Sequence, residues 1–213
     1  MRSLLMLLVG TLAVSTVAHA QIAPAPSKGY VEATAQSAFG NVTSQSYGVE
    51  FGVTLASPLQ VFVEAGQVLD VAPAGFGASA QLIAGFLSRT QPDVAFRLKE
   101  PAAFGLAGLR CLLSAGAVEP YVLAGGGIAR VKKDVSFTVA GTDVTGNLQQ
   151  FGVVLGTDLS GAETKPMLTL GAGVAWPAWQ HMVIDFQYRY GRVLASDQGI
   201  NVNRAGVGVG IRF

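Results

Sequence analysis

"GVGVGIRF", residues 206–213, closes the sequence on an alternation of glycine with apolar residues. Successive side chains of an extended strand point to opposite faces. Val207, Val209, Ile211 and Phe213 therefore share one face, and Gly206, Gly208, Gly210 and Arg212 share the other. Terminal residues left in water are usually polar and mobile unless something ties them down. An apolar, aromatic ending of this kind predicts a strand docked into a sheet.

The same period recurs upstream. Extended segments are predicted at Gly29–Phe39, Ser46–Ala56, Leu59–Leu69, Ala102–Leu113, Pro120–Val131, Pro166–Trp176, Gln180–Val193 and Asn203–Phe213, eight in all. Each exceeds the five or six residues of an average globular strand and is long enough to cross a bilayer when tilted. The alternation is clearest in the seventh, where Met182, Ile184, Phe186, Tyr188 and Tyr190 oppose Asp185, Gln187 and Arg189. In the second, Tyr47, Val49, Phe51, Val53 and Leu55 oppose Gly48, Glu50, Gly52 and Thr54. In the sixth, Leu168, Leu170, Ala172, Val174 and Trp176 oppose Thr169, Gly171, Gly173 and Ala175. The facing of the fourth and fifth is not set by pattern.

Connection lengths carry an independent signal. Linkers after the second, fourth and sixth segments are short, whereas those after the third and fifth are each roughly 30 residues, the asymmetry of transmembrane barrels. The first long connection contains "ASAQLIAGFLS", whose Leu82, Ile83, Phe86 and Leu87 fit a short helix with one apolar face; the second contains the comparable "LQQFGVVL". Either is expected to cap the barrel mouth or to present a partner-binding surface.

Composition agrees with a membrane barrel. Charged residues make up 13% of the chain, against about 25% in a typical soluble domain, and mean hydropathy is +0.44. Past the N-terminus there is no apolar run of about 18 residues that would span as a helix. Residues 1–20, "MRSLLMLLVGTLAVSTVAHA", combine Arg2, an apolar stretch and Ala18-His19-Ala20, the pattern of a cleaved secretory signal peptide. A retained anchor is the alternative, disfavoured by the short apolar stretch. Residues 21–28 read as a Pro/Ala-rich linker and 29–213 as the barrel domain. Without Arg2 the basic and acidic residues balance, so nothing steers toward nucleic acid. Cys111 is the only cysteine, so no internal disulfide forms; it reads as a small apolar wall residue, with a reactive thiol as the alternative.

Sheet structure survives in hydrocarbon only when closed on itself, because every backbone N–H and C=O must find a partner. The final strand is therefore expected to pair with the first. Trp176, Trp179 and Tyr121 fall at short-turn ends and Tyr47, Tyr188 and Tyr190 toward long-loop ends, which predicts two aromatic girdles; core aromatics are the alternative. The many glycines fit a narrow lumen.

The leader, the eight alternating strands, "YVLAGGGIARV", "LGAGVAW" and the terminal Phe213 together resemble the small eight-stranded outer-membrane β-barrels of Gram-negative bacteria, the OmpA/OmpX and opacity-protein type. The resemblance covers nearly all of residues 29–213, through pattern more than signature residues. It implies an all-β, antiparallel up-and-down transmembrane barrel in the cell outer membrane. It also implies that outer-membrane lipid surrounds the protein and that the barrel assembly machinery reads Val209, Ile211 and Phe213 as an assembly signal. The chain departs from the family in its two long, partly apolar loops and in lacking an added periplasmic peptidoglycan-binding domain.

Eight strands enclose just enough space for side chains to fill. Glu32, Glu50, Glu64, Arg110, Arg130, Asp185, Arg189 and Arg212 are the expected lumen polar network, of near-balanced sign. Buried ions persist only when paired, so the network is expected to plug the lumen; a narrow gated channel is the alternative. Enzymes of related fold need a His-based constellation near the outer leaflet. The only histidine after the leader, His181, lies beside the Trp179 turn on the opposite side, and is expected to be an interface residue. No catalytic set, metal site or cofactor is expected; "GLAGLR" and "AGGG" lie within strands and open no helix that would cradle phosphate. The predicted function is structural or surface-interactive, without an open pore and with a possible surface ligand for the long loops. The alternative from another class is a soluble periplasmic, lipocalin-like barrel holding an apolar ligand, which would invert the inside and outside.

Overall fold

Valine, isoleucine and aromatic residues at every second position favour pleated, half-buried surfaces. In this chain they become a closed ladder. The computed structural model describes residues 28–213 except 41, 74–75, 114–115, 157–158 and 195–198. The expected signal peptide and nearly all of the expected linker lie outside the described residues. The strands are β1 Gly29–Phe39, β2 Ser44–Ala56, β3 Leu59–Val68, β4 Val94–Lys99, β5 Ala102–Leu112, β6 Glu119–Val139, β7 Thr142–Asp143, β8 Gly161–Pro177, β9 Met182–Val193 and β10 Ile200–Arg212. Eight of them form the barrel, in the ring order β1-β2-β3-β5-β6-β8-β9-β10, every neighbour antiparallel.

Ring closure falls between β10 and β1, in register from Tyr30 opposite Arg212 to Phe39 opposite Asn203. The Phe213 carbonyl accepts the N–H groups of Lys28 (2.7 Å) and Gly29 (3.0 Å), and the Phe213 N–H donates to Gly29 O. The docked ending anticipated from "GVGVGIRF" is thus a full ladder. The β2–β3, β5–β6 and β8–β9 connections and both described chain ends lie at one end of the barrel, the turn end; the β1–β2 and β9–β10 connections and the two long ones lie at the other, the loop end.

The alternation expected for β2, β8 and β9 holds in the burial of their side chains. In β6, Tyr121, Leu123, Ala129 and Val131 point inward, and Val122, Ile128, Arg130 and Lys132 point outward. Two glycines let inward aromatics lie across the neighbouring strand: a Cβ on Gly52 would collide with the Tyr30 ring, and one on Gly173 with the Tyr121 phenol.

The loop end departs most from expectation. β6 runs on to Val139, well beyond the predicted end at Val131, and its far half pairs with the unanticipated β4, from Val94 opposite Val139 to Lys99 opposite Asp134. Ala140 (φ 47°) and Gly141 (φ 78°) form a two-residue hairpin turn into β7, the positive-φ pair that such turns require. Against this arm pack α1, Gly77–Leu87, and a 3-10 helix, Thr145–Phe151, ended by Gly152 at φ 74°.

Their shared core holds Ala80, Leu87, Val135, Phe137, Leu148, Val153 and Leu159. The helices therefore form a loop layer with its own core rather than a simple cap on the mouth. The single apolar face expected for α1 is also corrected. Ile83 and Leu87 face the core, whereas Leu82 and Phe86 are 76% and 50% exposed. Val153–Leu155 of the second expected helix are not helical.

Candidate functional site

The lumen is stacked in three zones. Near the turn end Phe62, Tyr121, Leu123, Ala175 and Val183 form a small apolar cluster. Near the loop end a larger one gathers Val68, Phe104, Leu106, Val131, Met167 and Val202, joined by Val71 from the start of the β3–α1 connection. Between and around these lie the charged side chains, placed there because inward positions of β1, β2, β3, β5, β9 and β10 carry Glu32, Glu50, Glu64, Arg110, Asp185, Arg189 and Arg204. All are essentially inaccessible, at most 2% exposed.

These groups pair with one another, although Arg110 Nε, Asp185 Oδ1 and Arg204 Nε accept or donate no hydrogen bond. Glu64 is shared: its carboxylate takes Arg189 Nη1 at 2.8 Å and Arg204 Nη1 at 2.8 Å. Arg189 also meets Glu50 Oε2 at 2.5 Å and donates from Nε to Gln187 Oε1. Arg110 lies 3.6 Å from Glu50 and 3.4 Å from Asp185, its guanidinium stacked 3.5 Å from the Tyr121 ring centre. The Tyr30 hydroxyl donates to Glu50 (2.5 Å) and the Tyr121 hydroxyl to Asp185 (2.7 Å). Four carboxylates face three guanidiniums, and Glu32 is held instead by the Gln187 amide at 3.1 Å. Charges survive out of water only with such pairing.

Of the residues expected in the lumen, Glu32, Glu50, Glu64, Arg110, Asp185 and Arg189 lie inside. Arg212 lies at the turn-end rim, partly exposed and 2.6 Å from Glu119. Arg130 is a correction: it shares the outward parity of Val122 and Ile128 and is exposed. Arg204 was missing from the expected set, although it shares parity with Gly206, Gly208 and Gly210, which would have assigned it inward. Tyr121 is the second correction. It is 1% exposed and belongs to the lumen, not to a girdle, because its parity matches Leu123.

The other aromatics expected in the girdles face outward. Trp176 (47% exposed) and Trp179 (75%) sit at the turn end. Tyr47, Tyr188 and Tyr190 sit toward the loop end, where the hydroxyls of the last two donate to Asn203 (2.7 Å) and Asn201 (2.8 Å). Between them the wall is apolar, with Val49, Phe51, Val63, Leu109, Leu170, Phe186, Val207, Val209 and Ile211 all exposed. Phe213 stacks on Phe51 with ring centres 6.3 Å apart.

At the loop end, Asp70 Oδ1 accepts the N–H groups of Ala72 (3.0 Å) and Glu100 (3.1 Å). Glu100 is itself buried, and that burial pushes its carboxyl above the usual range, against the opposing pull of Lys133. Glu163 bridges Lys165 (3.0 Å) and Lys133 (3.9 Å), and the bond from Lys165 holds its carboxyl below the usual range. His181 is exposed at the turn end, its Nδ1 3.2 Å from the Arg212 carbonyl oxygen. Cys111 is half-buried in β5, outward by the parity of its neighbour Arg110. Among the described residues no group of His, Cys, Asp and Glu is arranged to hold a metal ion.

No family model matches the sequence, and no curated protein does. Solved structures do match. Neisserial surface protein A is 16% identical, with 88% of this chain and 98% of that one aligned at a TM-score of 0.56. A major outer membrane protein from Thermus thermophilus is 12% identical, with 87% and 99% aligned at 0.53. At these identities the likeness is one of fold: an eight-stranded β-barrel of the outer-membrane kind. Such a fold hosts unrelated functions, so function must be argued from the site.

Proposed function

We propose that this chain is an integral outer-membrane β-barrel protein with a structural or surface-interaction role and no open pore. The observation that carries the reading is the inversion of polarity across the wall. Ion pairs and tyrosine hydroxyls, set between two apolar clusters, occupy the inside, and a continuous apolar belt with aromatics at both ends covers the outside. A soluble barrel holding an apolar ligand would need the reverse. In this reading Tyr47, Tyr188, Tyr190, Trp176 and Trp179 mark the two interfaces with lipid. Val209, Ile211 and Phe213 form the terminal signal read by the assembly machinery, and the ion network sealed between two apolar clusters plugs the lumen. No catalytic role is assigned to His181, which lies at the turn end, away from the loop layer.

The loop layer is the part offered to the outside, and a surface ligand would meet it first. The test is fractionation of a Gram-negative host expressing the full chain, with gel mobility of the washed membranes before and after boiling. A compact, heat-convertible band in the outer membrane is expected, whereas recovery in the soluble periplasm would overturn the reading. Planar-bilayer recording separates plug from channel. Frequent, large and stable conductance steps would sink the plug.

A further inference from the structure

The outward cations of the loop end are not spread around the rim. Arg130 and Lys132 alternate outward on β6, two residues beyond the exposed Ile128 of the apolar belt. Directly opposite residues of an antiparallel pair share a face. Lys99 lies opposite Asp134, and Arg97 opposite Ser136, so both belong to the same outward face. The neighbours of this row are small: Arg130 stands between Ala103 and Thr164, and Lys132 has Ala162 beside it. Two carboxylates share the face: Asp134, 3.8 Å from Lys132, and the exposed Asp143, opposite Thr138 toward the tip of the arm. Elsewhere around the rim the outward positions include Ser37, Phe39, Gln45, Gln67, Asn201 and Asn203, and the cation Arg192.

Position and charge together define what fits. A cationic row on the outer wall, continuous with the lipid-facing surface and starting where that surface ends, lies at the level of lipid headgroups. We infer that Arg97, Lys99, Arg130 and Lys132 form a docking face for the phosphate groups of an anionic outer-leaflet lipid, whose acyl chains lie against the belt below. Guanidinium and ammonium groups make charge-assisted hydrogen bonds to phosphate. The arm extends the row past the belt, so a headgroup carrying separated phosphates is engaged at more than one height. The inference rests on the outer-membrane reading above, with the loop end facing outward.

The test uses the full chain, folded in detergent, and measures binding of diphosphoryl lipid A and of its dephosphorylated form. The wild type is expected to prefer the diphosphoryl form. The variant carrying R97Q, K99Q, R130Q and K132Q should bind it about a hundredfold more weakly, and the dephosphorylated form no differently from wild type. R192Q should match wild type. Heat-convertible mobility reports folding; should the quadruple variant not fold, R97Q/K99Q and R130Q/K132Q carry the test, each expected to show a partial loss. Unchanged binding by a folded variant overturns the inference, as does equal affinity for both lipid forms. Displacement of the lipid by millimolar inorganic phosphate would also overturn it, by marking a free-anion site. Recovery of the wild type from the soluble periplasm removes both readings, whereas unchanged binding with the protein in the outer membrane removes only this one.

Discussion

In the barrel, Glu50, Asp185, Arg189 and Arg204 lie inside while Val63, Val209 and Ile211 lie outside; in the loop layer, Leu87, Phe137 and Leu148 lie inside while Arg97, Lys132 and Asp134 lie outside. A single strand passes through both arrangements. Along β6 the outward residues change from Val122 and Ile128 to Arg130, Lys132 and Asp134. Its inward positions end in Val135 and Phe137, the core of the arm. Parity never slips. What changes is the medium on each side, and the switch at Arg130 marks where the apolar belt stops. The two interiors differ in kind, paired charges set between apolar clusters within a closed sheet against a core that is apolar throughout.

The contrast breaks most severely at Glu64. Replacing it with alanine leaves Arg189 and Arg204 buried without their shared carboxylate, a loss of about 3 to 5 kcal/mol. Urea titration of the compact gel band in lipid should show the midpoint collapse; an unchanged midpoint would mean that the network does not hold the barrel. Leu87→Ala addresses the other core. It should cost about 2 to 5 kcal/mol of loop-layer stability. Protease nicking between β3 and β4 should accelerate while the heat-convertible band survives, and loss of the band would show the two regions to be one cooperative unit.

Val209→Arg probes the outer wall. A lipid-facing cation costs roughly 2 to 4 kcal/mol near the bilayer midplane. Folding yield into lipid vesicles should fall, and wild-type yield would show that Val209 does not face lipid. The smallest expected effect concerns pH. Burial raises the Glu100 carboxyl, so the folded loop layer holds a proton that the unfolded segment releases. Its stabilising contribution is full below the ordinary carboxylate range and is lost as pH rises through the folded-state value. Nicking of the β3–β4 connection should therefore quicken as pH rises through that interval in the wild type and become flat in Glu100→Gln. An equal slope in both would locate the dependence elsewhere.

How much of this was legible in the sequence follows the same division. Barrel strands were readable because period-two alternation is local. Glu50 opposes Phe51, and Asp185 opposes Phe186, with no need of tertiary information. The facing of β6 was lost where Gly125-Gly126-Gly127 erases the alternation, and with it the inward Tyr121 and the outward Arg130. The arm was missed for a different reason. Lys132-Lys133-Asp134 reads as the polar end of a strand, and only the resumption at Val135, Phe137 and Val139, matched by Val94, Phe96 and Leu98, betrays a second hairpin. The sharing of Glu64 between Arg189 and Arg204 was beyond reach, because it is set by which walls the ring brings face to face across the lumen.

The junction of β10 with β1 has a consequence for the order of the chain. With the Phe213 carbonyl hydrogen-bonded to the N–H groups of Lys28 and Gly29, the two ends of the described chain already lie side by side at the turn end. A short linker between them, with new ends opened in the β9–β10 connection, would give a circular permutant with the same neighbours throughout the ring. The fold treats the position of the break as arbitrary; a biogenesis pathway that reads the last strand would not. Such a permutant would separate what the barrel needs to stand from what the cell needs to recognise.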